Sequence, residues 1–256
     1  MTRSTHPYGS HPSQLVELFL PSGAGPHPVA VVAHGGYWRA QYDRSLMDGL
    51  CLDLAAHGVA AWNLEYRRVG GGGGWPGTFV DVAAGVDALA DVAAALDLSR
   101  VVAVGHSAGG QLALWAAARG TLPAEAPGAE PRVRIAAAVS QAGVLDLTLA
   151  AGLIPSATPT RALLGDPATH FERYVLASPR ERLPLGIPQL VLHGDRDDTV
   201  SMRIATSYAT AARNAGDDCE LRVLSHTGHF EHIDAGAEAW HVARDWLVDQ
   251  ASAARS

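Results

Sequence analysis

The chain has 256 residues and contains no lysine, so all 19 of its basic residues are arginine. Without a lysine amine, the protein cannot form a Schiff base with a carbonyl substrate or with pyridoxal phosphate. It also cannot supply the phosphate-binding lysine of a Walker loop or the base of a Ser-Lys hydrolase. These chemistries are therefore excluded.

Cysteine is nearly absent as well. Cys51 and Cys219 are the only two, and neither lies in a Cys-x-x-Cys pair or a Cys/His cluster with the spacing of a zinc site. The sequence therefore predicts two free, buried thiols in a reducing compartment and no metal site.

Long apolar runs and excess positive charge are also missing. No apolar run reaches the roughly 18 residues that span a bilayer, and the first 21 residues lack the pattern of a secretory signal. The 26 acidic residues outnumber the 19 basic ones, giving a formal charge of -7, so no basic surface is expected for nucleic acid or anionic membranes. We expect a cytoplasmic protein whose partner is a small molecule; the oligomeric state is not predicted.

The hydrophobic pattern predicts an α/β fold with a mostly parallel central sheet flanked by helices. Hydrophobic residues make up 48% of the chain and charged residues 18%, enough for one large domain over residues 1–256. Short apolar runs alternate with helical patterns, as parallel sheets require. The predicted strands are 14–20, 28–33, 59–65, 101–105, 135–141, 189–193 and 220–225. The predicted helices are 44–56, 78–96, 108–119, 202–215 and 237–250.

One segment interrupts this alternation between the strand that ends near Gln141 and the strand that starts near Gln189. Residues 145–187 are rich in proline and small side chains, and a structureless loop of that length is unusual in a compact domain. We expect them to form a small helical cap.

The strongest local motif is Gly105-His106-Ser107-Ala108-Gly109, which lies where a buried strand ends and an apolar helix begins. A Gly-x-Ser-x-Gly sequence in this context holds a serine on a tight strand-to-helix turn. A serine hydroxyl is a weak nucleophile, so it needs a base to remove its proton and a third group to orient that base. Ser107 is therefore the candidate nucleophile.

Candidate partners follow two later strands. The first strand is followed by three acidic residues and the second by three histidines, and the carboxyl ends of parallel strands meet at one edge of the sheet. The order serine, acid, histidine is that of hydrolases built on a strand-turn-helix serine. The acidic candidates are Asp195, Asp197 and Asp198, and the histidine candidates are His226, His229 and His232.

A second motif supplies candidate hydrogen-bond donors for a negatively charged intermediate. Acyl transfer places negative charge on the former carbonyl oxygen, and backbone amides must already point at it. We expect one amide from Ala108 and another from the loop formed by Gly35, Gly36 and Tyr37.

Two side chains flank that loop. His34 comes before the glycines and is interpreted as an anchor of the loop. Trp38 follows the loop, and two interpretations stay open: it forms a wall of the substrate site, or it packs in the core.

These motifs resemble the α/β-hydrolase superfamily from about Leu15 to Val248. The family pattern His-Gly-x-x-Asp-x-x-Val starts at His193 and makes Asp197 the triad acid, and its Gly-His pair makes His229 the base. The stretches His-Gly-Gly-Tyr-Trp and Gly-His-Ser-Ala-Gly-Gly resemble those of kynurenine formamidases (arylformamidases) and related carboxylesterases. A Tyr-Arg segment at 66–67 is also similar to that group.

The resemblance implies a cofactor-free serine hydrolase that cleaves a small carboxylic ester or amide through an acyl-enzyme, with an aryl formamide as one candidate substrate. Two alternatives stay open. One is a general short-acyl carboxylesterase without formamidase activity, and the other is a non-catalytic ligand binder on the same scaffold.

Overall fold

The computed structural model describes residues 1–153 and 159–253. Its centre is an eight-stranded sheet with the strand order β1-β2-β4-β3-β5-β6-β7-β8. The strands are β1 (Thr2–Pro7), β2 (Leu15–Leu20), β3 (His27–Ala33), β4 (Ala60–Leu64), β5 (Leu96–His106), β6 (Ala137–Gln141), β7 (Gln189–Gly194) and β8 (Cys219–Leu224). All pairings from β4 to β8 are parallel, while β1 and β2 join antiparallel at one edge.

The α-helices of the described residues connect these strands. They are α1 (Asp48–Ala56), α2 (Gly77–Asp87), α3 (Ala108–Ala117), α4 (Leu147–Leu153), α5 (Pro159–Leu164), α6 (Phe171–Ala177), α7 (Met202–Asn214) and α8 (Glu238–Ser252). None of the helices in these described ranges has the length and apolar composition needed to cross a bilayer.

The central strands are hydrophobic on both faces because the sheet carries a core on each side. In β3, Val29, Val31 and Ala33 join one core, which includes side chains of α2, α3 and α7. Ala30 and Val32 point to the opposite core, which contains side chains of α1 and α8. This explains the continuous apolar runs in the sequence, since successive strand residues face opposite sides. The predicted sheet flanked by helices is confirmed.

Two local predictions were incomplete or wrong. Strand β1 was not predicted, because its residues are mostly exposed and polar; it pairs with β2 from Thr2 opposite Leu20 to Pro7 opposite Leu15. The predicted helix 78–96 ends much earlier, at Asp87, and is followed by two short 3₁₀ turns before β5 begins at Leu96. Alanine-rich sequence favours helix everywhere in that stretch, so propensity alone does not mark the end.

The interruption between β6 and β7 contains the helices α4, α5 and α6 and a 3₁₀ turn at Pro179–Arg182. Residues 154–158 of the predicted 145–187 cap lie outside the described residues, as do residues 254–256 of the predicted domain. These helices contribute buried side chains to the larger core, and the end of α6 is hydrogen-bonded to α3; the buried side chains are Leu147, Leu163, Leu164, Tyr174 and Ala177. The segment is therefore seated on the body of the fold.

Candidate active site

Ser107 lies at the tight turn between β5 and α3. Its backbone has φ 56° and ψ -119°, a left-handed conformation that side chains rarely adopt. The flanking glycines make the turn possible: a Cβ at Gly105 would lie 2.0 Å from the Gly109 carbonyl oxygen, and a Cβ at Gly109 would lie 2.0 Å from the carbonyl oxygen of Ala33. The chain therefore requires glycine at both positions to close around the serine.

A hydrogen bond joins the candidate acid Asp197, which follows β7, to the candidate base His229, which follows β8. His229 Nδ1 donates a hydrogen bond to Asp197 Oδ2 at 2.7 Å. The other oxygen, Asp197 Oδ1, accepts the backbone amides of Thr199 at 2.9 Å and Val200 at 2.8 Å. The carboxylate thus holds the proton of His229 on Nδ1 and leaves Nε2 as the atom that can accept a proton.

The same contacts keep Asp197 ionised. Burial of its side chain favours the neutral acid, but the hydrogen bond from His229 and the two backbone amides outweigh it, and the pKa of Asp197 is lowered from 3.8. A charged carboxylate beside the imidazole stabilises the imidazolium that forms when the base removes a proton.

Ser107 and His229 lie at the same end of the sheet. His106, directly before Ser107, has its ring centroid 4.5 Å from that of His229. Among the hydrogen bonds of the described residues, the His229 side chain bonds to Asp197, and none joins the Ser107 hydroxyl to the imidazole. Catalytic hydrogen bonds of this kind are often long without substrate and tighten in the complex, so the missing bond does not argue against proton transfer.

The other acidic candidates lie apart from the imidazole. Asp195 and Asp198 are exposed. Asp198 Oδ1 accepts the Thr199 hydroxyl at 3.2 Å. Within the described residues of this region, one hydrogen bond joins a histidine to an aspartate, and it is formed by His229 and Asp197.

The other two histidine candidates form no hydrogen bond with an aspartate among the described residues. His226 is exposed and contacts Arg196. His232 is fully buried, and burial together with neighbouring histidines lowers its pKa to about 4. The ring of His106 is also buried, which lowers its pKa to about 3. His229 is therefore the histidine that the structure orients with a carboxylate.

The side chain of His106 connects two parts of the site, which its place in the Gly-x-Ser-x-Gly motif does not predict. Its Nε2 lies 2.8 Å from the backbone oxygen of His229. Because a carbonyl only accepts, Nε2 must carry the proton and donate. The bond ties the segment carrying the base to the turn carrying the serine, and only the fold brings these two parts of the chain together.

The glycine loop lies directly against the serine. A Cβ at Gly35 would lie 2.8 Å from the His106 carbonyl oxygen and 3.1 Å from Ser107 Cβ. Gly36, Tyr37 and Trp38 all have positive φ values, 106°, 56° and 54°, so the backbone turns sharply here. The arrangement leaves the loop's amides beside the start of α3, where the Ala108 amide, as the first of the helix, has no acceptor within the helix.

His34 is buried at the base of this loop. Its ring stacks on Tyr66 with centroids 4.4 Å apart, and the Tyr66 hydroxyl donates to the His34 carbonyl oxygen at 2.7 Å. His34 Nε2 lies 3.4 Å from Glu65 Oε1, and Glu65 forms a buried ion pair with Arg68. These contacts fasten the loop to the end of β4, which is the position expected of an anchor.

Trp38 fulfils part of each interpretation. Its side chain is only 2% exposed, and its Nε1 donates to Gln111 Oε1 at 3.0 Å. The residue also lines the cavity in front of Ser107. Most of the ring is therefore packed, and the remaining part contributes to a wall.

The cavity has a volume of about 460 Å³, within the range of small-molecule sites. Ser107, Tyr37 and Ala108 line it beside hydroxyl groups from the segment after β7. Its apolar walls are Val144, Ala150, Leu153 and Ile204. The charged residues among its described lining are Asp197 and Asp198, so the cavity favours neutral or cationic ligands over anionic ones.

In the described part of the chain, no group of three or more His, Cys, Asp or Glu side chains has the arrangement of a metal site. Cys51 and Cys219 are both buried and free.

Several solved structures share this architecture. A truncated form of a carbohydrate esterase from gut microbiota is 21% identical, with a TM-score of 0.86 over 99% of this chain and 97% of that chain. Esterase B from Lactobacillus rhamnosis, with a C4-C4 SN3 tributyrin phosphonate, is 19% identical, with a TM-score of 0.82 over 97% and 86%. Est2, a thermophilic esterase from the Planctomycetes species Thermogutta terrifontis, is 22% identical, with a TM-score of 0.76 over 96% and 92%.

These structures confirm the α/β-hydrolase fold that the motifs predict. No curated protein matches the sequence. The BD-FAE family matches residues 16–211, which is well over half of the chain. The protein therefore belongs to the BD-FAE family.

Proposed function

We propose that the protein is a serine carboxylesterase that hydrolyses small esters. The observation that carries this proposal is the bond from His229 Nδ1 to Asp197 Oδ2 at 2.7 Å, next to a serine held on a strained turn. The esterase names of the similar structures support it. The strand-turn-helix serine, the oriented imidazole and the glycine loop are the three parts that acyl transfer needs.

In this mechanism, His229 Nε2 removes the proton of Ser107 as its oxygen attacks the ester carbonyl. The backbone amides of Ala108 and of the loop formed by Gly35, Gly36 and Tyr37 stabilise the oxyanion. The imidazolium then protonates the leaving alcohol, and an acyl-enzyme remains. Water, deprotonated by the same imidazole, releases the acid and restores the serine. Neither metal nor cofactor takes part in these steps.

The cavity indicates the substrate. Its volume of about 460 Å³ and its apolar walls suit a short acyl group, and the carboxylate of Asp198 disfavours an anionic one. We therefore propose short-acyl, uncharged esters, with no role for nucleic acid or membrane. We also propose that the protein is cytoplasmic and that residues 1–256 form a single domain.

Kinetic comparison with a serine variant tests the activity. The wild-type protein should hydrolyse p-nitrophenyl acetate and butyrate, and Ser107→Ala should lose at least about 10³-fold in kcat because the nucleophile is gone. A fluorophosphonate probe should label the wild type and leave Ser107→Ala unlabelled. A wild-type protein that neither turns over esters nor reacts with the probe would instead support the non-catalytic binder.

An aryl formamide is the second candidate substrate, because the loop at residues 34–38 reads His-Gly-Gly-Tyr-Trp and resembles the corresponding motif of arylformamidases. Formyl is the smallest acyl group, and a cavity of about 460 Å³ is within the range of small-molecule sites. The test offers N-formylkynurenine beside the p-nitrophenyl esters at equal concentrations. Turnover of the esters without release of formate would exclude this candidate and leave the carboxylesterase.

A further inference from the structure

Gln111 has no role in the mechanism above, but its side chain connects Trp38 to the end of α6. It sits in α3, one turn after Ser107, and is fully buried. Its Oε1 accepts the indole N–H of Trp38 at 3.0 Å, and its Nε2 donates to the carbonyl oxygen of Ala177 at 2.8 Å. An indole N–H only donates and a carbonyl only accepts, so these partners fix the orientation of the amide.

The first of these bonds acts on the glycine loop. Tyr37 and Trp38 are consecutive non-glycine residues with positive φ values of 56° and 54°. Such a backbone persists only where the surroundings hold it. The Trp38 carbonyl is fixed by the amide of Val69 at 2.8 Å, while its side chain is fixed by Gln111.

The second bond reaches the segment between β6 and β7. Ala177 is the last residue of α6, and one turn further along α3 the indole of Trp115 donates to the carbonyl of Leu176 at 3.0 Å. Two side chains of the helix that carries the serine at its start thus bind adjacent carbonyls at the end of α6. Of these two side chains, Gln111 is the one whose hydrogen bonds also include Trp38, the residue directly after the glycine loop.

We propose that Gln111 is a positioning residue: through Trp38 it holds the loop of Gly35, Gly36 and Tyr37 at the distance from Ser107 that oxyanion binding needs. This inference rests on the proposed function for its catalytic part. Gln111→Met keeps an unbranched side chain of similar length but loses both hydrogen bonds. Because the loop's amides act on the charge of the transition state, kcat should fall and KM should stay nearly constant.

The expected loss in kcat is about ten- to hundredfold, since misplacement by about 1 Å has effects of this size. The value is taken per active site, titrated with a fluorophosphonate, so that misfolded protein does not contribute. Trp115→Phe is the matched control, because it removes the neighbouring bond from α3 to α6 and leaves Trp38 untouched. It should lower the melting temperature as Gln111→Met does, without the loss in kcat.

A double substitution tests whether the effect passes through Trp38. Trp38→Phe already removes the donor, so adding Gln111→Met to it should change kcat by less than about threefold. Equal losses of kcat in the wild-type and Trp38→Phe backgrounds would overturn the proposal. If Gln111→Met does not fold, Trp38→Phe alone takes its place, because it removes the same bond between the two side chains; kcat should fall about ten- to hundredfold, and an unchanged kcat would overturn the proposal.

Hydrogen exchange of the Trp38 indole proton provides a readout that does not need turnover. In ¹⁵N-labelled protein, this resonance is the one missing from Trp38→Phe. Its exchange should become at least tenfold faster in Gln111→Met and stay unchanged in Trp115→Phe. Unchanged exchange in Gln111→Met overturns the inference. A wild-type protein that hydrolyses no ester would refute the proposed function instead, while the exchange rates still report whether Gln111 holds Trp38.

Discussion

Asp197→Asn separates the role of the acid from its packing, because the substitution keeps the shape of the side chain and removes its charge. The oxygen that accepts the amides of Thr199 and Val200 at 2.9 and 2.8 Å must stay an oxygen, since both partners are donors. The new amide nitrogen therefore faces His229 Nδ1. It donates to that atom, and the imidazole proton moves to Nε2.

In that tautomer, His229 presents an N–H to the serine instead of a lone pair and cannot remove its proton. A tautomer reversed by an Asp-to-Asn change lowers kcat by about 10⁴ in the serine protease that serves as the reference case, and we expect a loss of the same order here. KM for p-nitrophenyl butyrate should stay within about threefold, because the contacts with bound ester are unchanged.

The assay compares initial rates of ester hydrolysis by the wild type, Asp197→Asn and Asp195→Asn. Asp195 is exposed and serves as the matched control, with an expected change in kcat below about threefold. A loss smaller than tenfold in Asp197→Asn, or a larger loss in Asp195→Asn, would refute the assignment of the acid.

Three further outcomes follow from individual contacts. In Gly109→Ala, the new Cβ would lie 2.0 Å from the Ala33 carbonyl oxygen, whereas a Cβ in Gly120→Ala meets nothing within 4 Å. Urea denaturation should therefore show that Gly109→Ala lowers the free energy of unfolding by about 3 kcal/mol or more and that Gly120→Ala hardly changes it. Equal free energies of unfolding in the two variants would contradict the packing argument. The pKa of Glu65 is lowered from 4.5, so the stability that its charge contributes is complete above pH 4.5 and is lost as the pH falls through the lowered pKa. The free energy of unfolding, measured between pH 6 and pH 3, should therefore fall more steeply in the wild type than in Glu65→Gln. The same pH dependence in both proteins would disprove the link between the Glu65 charge and stability. Asp198→Asn removes a negative charge from the lining of the cavity. It should raise kcat/KM for an anionic p-nitrophenyl hemisuccinate by roughly two- to tenfold relative to kcat/KM for the neutral p-nitrophenyl butyrate. An unchanged ratio of the two kcat/KM values would show that this charge does not act on the substrate.

The sequence predicts best what is encoded locally. The serine turn is recognisable because Gly105 and Gly109 must both lack side chains, and their spacing around Ser107 follows from the geometry of a single strand and helix. The buried strands are recognisable because a sheet covered on both faces needs continuous apolar residues. For the same reason β1 (Thr2–Pro7) was missed, since an exposed edge strand has no such requirement.

A local sequence pattern cannot predict contacts that require several helices and strands to come together. The hydrogen bond of Gln111 requires that the glycine loop and the end of α6 both approach α3. The bond from His106 Nε2 to the carbonyl of His229 spans 123 positions in the chain. A glutamine in an apolar helix and a histidine beside the serine were the available signals, since buried polar side chains need partners, but the partners follow only from the fold.

The histidines around Asp197 differ in a way that serves acyl transfer. Burial lowers the pKa of His106 to about 3 and that of His232 to about 4, and it also lowers the pKa of His193. These rings therefore stay neutral at the pH at which an ester is cleaved. In the proposed mechanism His229 takes the serine proton, and the new positive charge faces the carboxylate of Asp197 and meets no second cation among these neighbours. The same burial that makes the neighbouring rings useless as bases thus removes the repulsion that would otherwise oppose protonation of His229.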